Sequence, residues 1–146
     1  MASSSFIGFI AGLKWSTSGS VATVAGGLAS SSPTAGIGYG TGAGGAATQG
    51  TSKATTVVLD TITGTITMHT AALNAATIVS FTLTNAAIAL TDHVLVQHIS
   101  AGTVGAYTCT AIGAAGSATI YVRNNTAGNL SEAIVLKFTV LKSVVA

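Results

Sequence analysis

From residue 53 onward, apolar and polar positions alternate with a period of two. In 133–141, Ile134, Leu136, Phe138 and Val140 share one face, with Lys137 and Thr139 opposite. In 78–84, Val79, Phe81 and Leu83 oppose Ser80, Thr82 and Thr84. In 117–123, Ala118, Ile120 and Val122 oppose Thr119, Tyr121 and Arg123. Successive side chains of a strand point to opposite faces, so each segment offers one face for burial and one semi-polar face. Further strands are predicted at 55–60, 62–68, 93–99 and 106–112. Asn, Asp and Gly mark the breaks, at Asn74, Asn85, Asp92, Gly102, Gly105, Gly113, Gly116, Asn124 and Asn129. Short strands between such breaks predict an all-β sandwich or barrel. The one candidate for a helical turn is 70–76, which is Ala-rich and begins with Thr.

Upstream the pattern is different. Residues 34–50, TAGIGYGTGAGGAATQG, form a glycine run that is either a linker or a segment clamped between neighbours. Before it, 20–25 (SVATVA) reads as an edge strand or as an extended arm that pairs with a neighbouring subunit. The apolar stretch 6–13 lacks a basic flank before it, and Lys14 follows it, so it does not read as a signal peptide. It also falls far short of the ~20 apolar residues that span a bilayer. The upstream part is therefore read as an apolar arm with a glycine hinge; its division from the β domain, 1–41 against 42–146, is what the resemblance given below implies.

Composition sharpens this. The chain has 146 residues, 49% of them hydrophobic and only 5% charged. Disorder needs the opposite balance, while a typical soluble domain has roughly a quarter of its residues charged. The polar faces are mostly Thr, a good strand residue that solvates poorly, which suits faces covered by other subunits. The five basic residues, Lys14, Lys53, Arg123, Lys137 and Lys142, are scattered, so no nucleic-acid footprint is expected. No membrane partner is expected either. The single Cys109 excludes an internal disulfide.

Candidate chemistry is sparse. Residues 40–45, GTGAGG, match G-x-G-x-x-G, but neither a strong strand before nor a helix after gives the dinucleotide context. His93 and His98 are five apart in one strand and point to opposite faces, so they do not chelate one metal. A three-histidine site around a threefold axis would need His69 or His98 from each copy; a hydrogen-bonded histidine at a strand end is the reading preferred. Asp60, Asp92 and Glu132, the only carboxylates, each stand beside turn residues and read as caps rather than as a glycosidase pair. Cys109 shares a face with Tyr107 and Ala111, where a small buried residue belongs. Asn124-Asn-Thr126 and Asn129-Leu-Ser131 read as polar turns rather than glycosylation sites. No enzyme activity and no cofactor or metal are expected.

Four stretches between Gly42 and the C-terminus carry a resemblance: GAGGAATQGTSKATTVVLDTITGTITM, VSFTLTNAAIALTDHVLVQH, VGAYTCTA and NLSEAIVLKFTVLK. Together they resemble a β domain of tailed-bacteriophage virion proteins, namely capsid decoration (cement) proteins, head fibres and tail-fibre tips. The resemblance implies an antiparallel, jelly-roll-like sandwich, a homotrimer, the major capsid protein as partner, and a place on the capsid's outer surface after assembly in host cytoplasm. The short leader favours a decoration protein over a fibre. Phe6, Ile7, Phe9, Ile10, Leu13 and Trp15 are then the candidate capsid or subunit contacts. The alternative is a fibre-tip module binding a bacterial surface glycan, which would use Tyr39, Tyr107 and Tyr121.

Overall fold

A computed structural model describes residues 13–15, 22–24, 29, 31, 33, 34 and 36–144. The chain divides into two units, Met1–Gly38 and Tyr39–Ala146. In the first, β1 (Leu13–Trp15) and β2 (Ala22–Val24) pair antiparallel, so the segment read as an edge strand or as an arm pairing with a neighbour contains a strand paired within its own chain. Phe6, Ile7, Phe9 and Ile10 lie outside the described residues; for Leu13 and Trp15 the description is limited to their backbone pairing.

The second unit contains β3 (Gly44–Thr48), β4 (Val57–Val58), β5 (Thr63–Thr67), β6 (Ile78–Thr84), β7 (His93–Ser100), β8 (Tyr107–Ala114), β9 (Ser117–Asn124) and β10 (Val135–Leu141). They form two four-stranded sheets, ordered β3-β5-β10-β7 and β4-β6-β9-β8. The fold is all-β, and no helix occurs among the described residues. The candidate helical turn at 70–76 is instead extended and turned, and Leu73 makes a bridge to Leu130.

The chain changes sheets at almost every connection. β3 and β5 are separated by β4, which belongs to the other sheet, and so return parallel; β4 and β6 are parallel with β5 between them. A parallel pair requires such a crossover rather than a tight turn. The remaining pairs are antiparallel, including the hairpin that joins β8 to β9. The expectation of antiparallel pairing throughout therefore fails at these two positions.

Alternation along the strands decides the core. Ile134, Leu136, Phe138 and Val140 face Phe81, Leu83, Ala118, Ile120 and Val122 in one buried cluster, with Ile66 and Met68. Two glycines in this interior let backbones and large side chains approach closely. A Cβ on Gly64 would stand 2.8 Å from the Gly45 carbonyl oxygen and 2.9 Å from Phe138 Cε1, and one on Gly45 would stand 2.7 Å from Leu59 Cδ1. The backbone contact cannot move without shifting β3 on β5. Gly64→Ala is expected to cost about 1–3 kcal/mol by overpacking, read as a lower urea midpoint. Gly38→Ala, with nothing within 4 Å of the added carbon, serves as the neutral control.

Candidate functional site

The three carboxylates, with Lys53 and Lys142, lie toward the two ends of the β unit, where strands give way to loops. At one end the 49–55 segment turns beneath Gln49, which is buried. Its Nε2 donates to the Lys53 and Thr55 carbonyls, both at 3.0 Å, and its Oε1 accepts from His69 N at 3.1 Å. This seats Lys53, only 3% exposed, with Nζ donating to the carbonyls of His69 (2.6 Å) and Glu132 (2.5 Å). Burial pushes the ammonium below its ordinary value, opposed by the nearby Glu132 charge. The cation is thus used as a tie between three loops distant in sequence.

The Glu132 side chain continues the network. It accepts from Thr103 Oγ1 at 2.6 Å, from Thr103 N at 3.0 Å and from Tyr107 OH at 2.7 Å. The Thr103 hydroxyl, then Tyr107 and the Thr103 N–H, hold its carboxyl down at about 2. Burial, and then the bond to Glu132, push the Tyr107 phenol above its ordinary range. His98 stands edge-on to Tyr107, ring centroids 5.5 Å apart, and its Nε2 lies 3.0 Å and 2.6 Å from the Ser100 and Ala101 carbonyls. A carbonyl only accepts, so Nε2 carries the proton in this arrangement.

Lys, Glu, Tyr and His together could pass for an acid–base set. Here Lys53 Nζ, both Glu132 carboxylate oxygens, Tyr107 OH and His98 Nε2 are each engaged with backbone or with a neighbour in a structural bond. Among the described residues no buried side-chain nitrogen or oxygen lacks a partner, and no group of three or more metal-ligating residues forms.

The Glu132 arrangement has a pH consequence. Its folded value lies below the ordinary carboxyl value of 4.5, so its contribution is complete above that pH and is lost as pH falls toward about 2. Stability is therefore expected to drop across this window, and Glu132→Gln is expected to flatten part of the drop in acid titrations followed by circular dichroism. Asp92 shares the direction, its carboxyl lowered chiefly by Lys142, so the flattening is partial.

At the other end Asp92 caps a turn, accepting from Ala89 N at 2.7 Å, and pairs with Lys142 Nζ at 2.5 Å. Asp60 accepts from Ala86 N at 2.7 Å, while buried Asn85 donates to the Thr61 carbonyl at 2.7 Å. All three carboxylates thus act as caps. His69 Nδ1 accepts locally from Ala71 N, and His93 is exposed on an outer face. Burial pushes the Cys109 thiol up, partly offset by a hydrogen bond with the His98 backbone. Asn124-Asn-Thr126 is a polar turn in which Asn124 Oδ1 accepts from Thr126 N and Oγ1. The G-x-G-x-x-G match runs from a turn into β3, with no helix to meet a pyrophosphate. The three tyrosines form no common platform: Tyr107 points inward, Tyr121 lies on an outer face, and Tyr39 donates to the Val140 carbonyl.

What remains for function is surface. The outward face of β3-β5-β10-β7 presents Ala46, Thr48, Thr63, Thr65, Thr67, Leu95, Gln97, Thr139 and Leu141, with Lys137 as its one formal charge. The outward face of β4-β6-β9-β8 presents Val58, Ile78, Ser80, Thr82, Thr84, Thr108, Thr110, Ile112 and Thr119, with Arg123 as its one formal charge. Leu95, Leu141, Val58, Ile78 and Ile112 are largely exposed. Sequence reasoning found the Thr faces but missed these aliphatics, which occupy outward positions of strands whose inward side is also apolar. It missed the Lys53 tie as well, whose partner Glu132 is 79 residues away and left no local signal. Compared with known proteins, the chain is matched by no family model, no curated protein and no solved structure.

Proposed function

We propose that the chain is a structural virion protein, a capsid decoration protein that stabilises a phage head by adding buried contact rather than by chemistry. The observation that carries this reading is the pair of outward sheet faces, each with a single formal charge amid Thr, Ala and exposed aliphatics. A surface built to stay in water has roughly 25–35% charged residues. A surface built to be covered lacks them at its centre. The titratable groups at the two ends support the same reading, since their geometry spends them on holding loops. The sequence resemblance supplies the setting: a homotrimer on the outer surface of the capsid, contacting the major capsid protein. Many weak copies acting together then give a tight shell. Phe6, Ile7, Phe9, Ile10, Leu13 and Trp15 provide apolar contact worth roughly 25 cal/mol for each Å² removed from water. Deleting residues 1–15 is expected to leave a folded trimer that no longer binds capsids stripped of their decoration. Undiminished binding by the truncated chain would contradict the role given to these residues.

A further inference from the structure

β9 is an inner strand, with β6 on one side and β8 on the other. The two registers therefore set out the outward face in rows. Arg123 stands between Ile78 and Thr108, and Tyr121 between Ser80 and Thr110. Residues two apart on a strand share a face about 6.5 Å apart, so the guanidinium and the Tyr121 ring belong to one surface. Arg123 is exposed, and among the described residues its side chain makes no hydrogen bond and no ion pair. The hydroxyl beside it in register, that of Thr108, already accepts from Asn125 Nδ2 at 2.8 Å. Ile78 and Ile112 add apolar surface to the same face, 56% and 62% exposed.

A guanidinium in water needs nothing further. Covering it is different: its five N–H groups lose their water, and a charge so covered is tolerated only where it is paired. The outward face of β4-β6-β9-β8 has no carboxylate to offer, since Asp60, Asp92 and Glu132 all lie outside the strands. Two copies meeting through this face would bring together two arginines and no anion.

We infer that the face around Arg123 is covered by a different protein, whose surface sets a carboxylate among apolar side chains. The inference rests on the covered surfaces proposed above and gives this one its partner chemistry. The unpaired guanidinium calls for the carboxylate, which its planar fork takes in two parallel hydrogen bonds. Ile78 and Ile112 call for the apolar surround, which the hydroxyls of an acidic saccharide would match poorly. Arginine and aromatic side chains are also those that most often dominate a contact between proteins.

The test compares the unaltered chain, Arg123→Gln and Lys137→Gln for binding to capsids stripped of their decoration, with sedimentation equilibrium for assembly and circular dichroism for folding. Lys137 is the one formal charge on the other sheet's outward face, so its removal measures general attraction. Arg123→Gln is expected to weaken capsid binding roughly tenfold or more, Lys137→Gln to change it much less, and both to keep the oligomer of the unaltered chain. Arg123→Lys reports the partner group: with a carbodiimide, the amine at position 123 is expected to form an amide with an Asp or Glu of the capsid protein, mapped by mass spectrometry. Undiminished binding by Arg123→Gln, or equal losses from both Gln variants, overturns the inference and leaves capsid decoration standing. Dissociation of the oligomer by Arg123→Gln, or a cross-link from position 123 into a second copy, places the contact between copies and overturns it too. Arg123-dependent retention on immobilised alginate without capsid binding gives the face to an acidic saccharide instead. A chain that binds neither overturns both the inference and the reading on which it rests.

Discussion

Phe138→Ala is expected to destabilise the chain by about 3–5 kcal/mol, the range for removing a buried aromatic side chain. Phe138 is 1% exposed and sits at the middle of β10, one of two strands hydrogen-bonded on both sides within this sheet. Its ladder partners are Gly64 on β5 and Val96 on β7. Gly64 has no side chain with which to fill the space that the ring leaves. Collapse of the site would require β5 to move toward β10, and the close packing of Gly64 against Gly45 and Leu59 resists that. Relaxation is therefore small and the cost belongs at the upper part of the range. Urea unfolding would show a lower midpoint with an unchanged slope. Phe138→Leu, which keeps most of the volume, should recover more than half of the loss.

Asn124→Ala is the second large effect, expected at about 1–3 kcal/mol from the joint loss of the hydrogen bonds made by one buried amide. Asn124 ends β9 and is 0% exposed. Its Nδ2 donates to the carbonyls of Leu73 (3.0 Å), Asn74 (3.2 Å) and Gly128 (2.8 Å), while Oδ1 accepts from Thr126 N (2.9 Å) and Oγ1 (2.8 Å). One amide thus fastens the 70–76 segment and the 125–130 turn to the end of the sheet. Alanine removes the donor and acceptor together; the Leu73, Asn74 and Gly128 carbonyls each keep another donor, while the Thr126 N–H loses its acceptor. Asn124→Asp separates the two roles. It keeps the acceptor but sets a carboxylate against three carbonyls, so its folded-state pKa is raised above the unfolded value. At neutral pH it should be at least as destabilising as alanine and should regain stability as pH falls and the acid becomes a donor. Thermal melts at pH 7 and pH 5 read the difference.

These two residues also mark what could be read from the chain before its structure. The place of Phe138 was legible because a strand has a fixed period of two, and Leu136, Phe138 and Val140 alternate with Lys137 and Thr139. β6 likewise spans the predicted 78–84. Cys109 was placed inward by the same parity. Asn124 was read only as a turn residue, since its role depends on carbonyls from segments some fifty residues away. Lys53 and Glu132 escaped for the same reason: a tie between loops has no period. β3 was hidden because glycine and alanine carry no strand signal, and its partner β5 is reached only after a crossover through the other sheet. Parallel pairing was missed with it. The outward aliphatics, such as Ile112 and Leu95, lie on faces that periodicity assigns to solvent, and it is their departure from that rule that points to covered surfaces.

The proposal that this chain decorates a capsid is tested most directly by its copy number on purified virus particles that carry it, counted by quantitative mass spectrometry against the major capsid protein. The account predicts hundreds of copies per particle, in fixed proportion to the capsid protein. A few to some tens of copies would contradict it and place the chain in a fibre or tail instead.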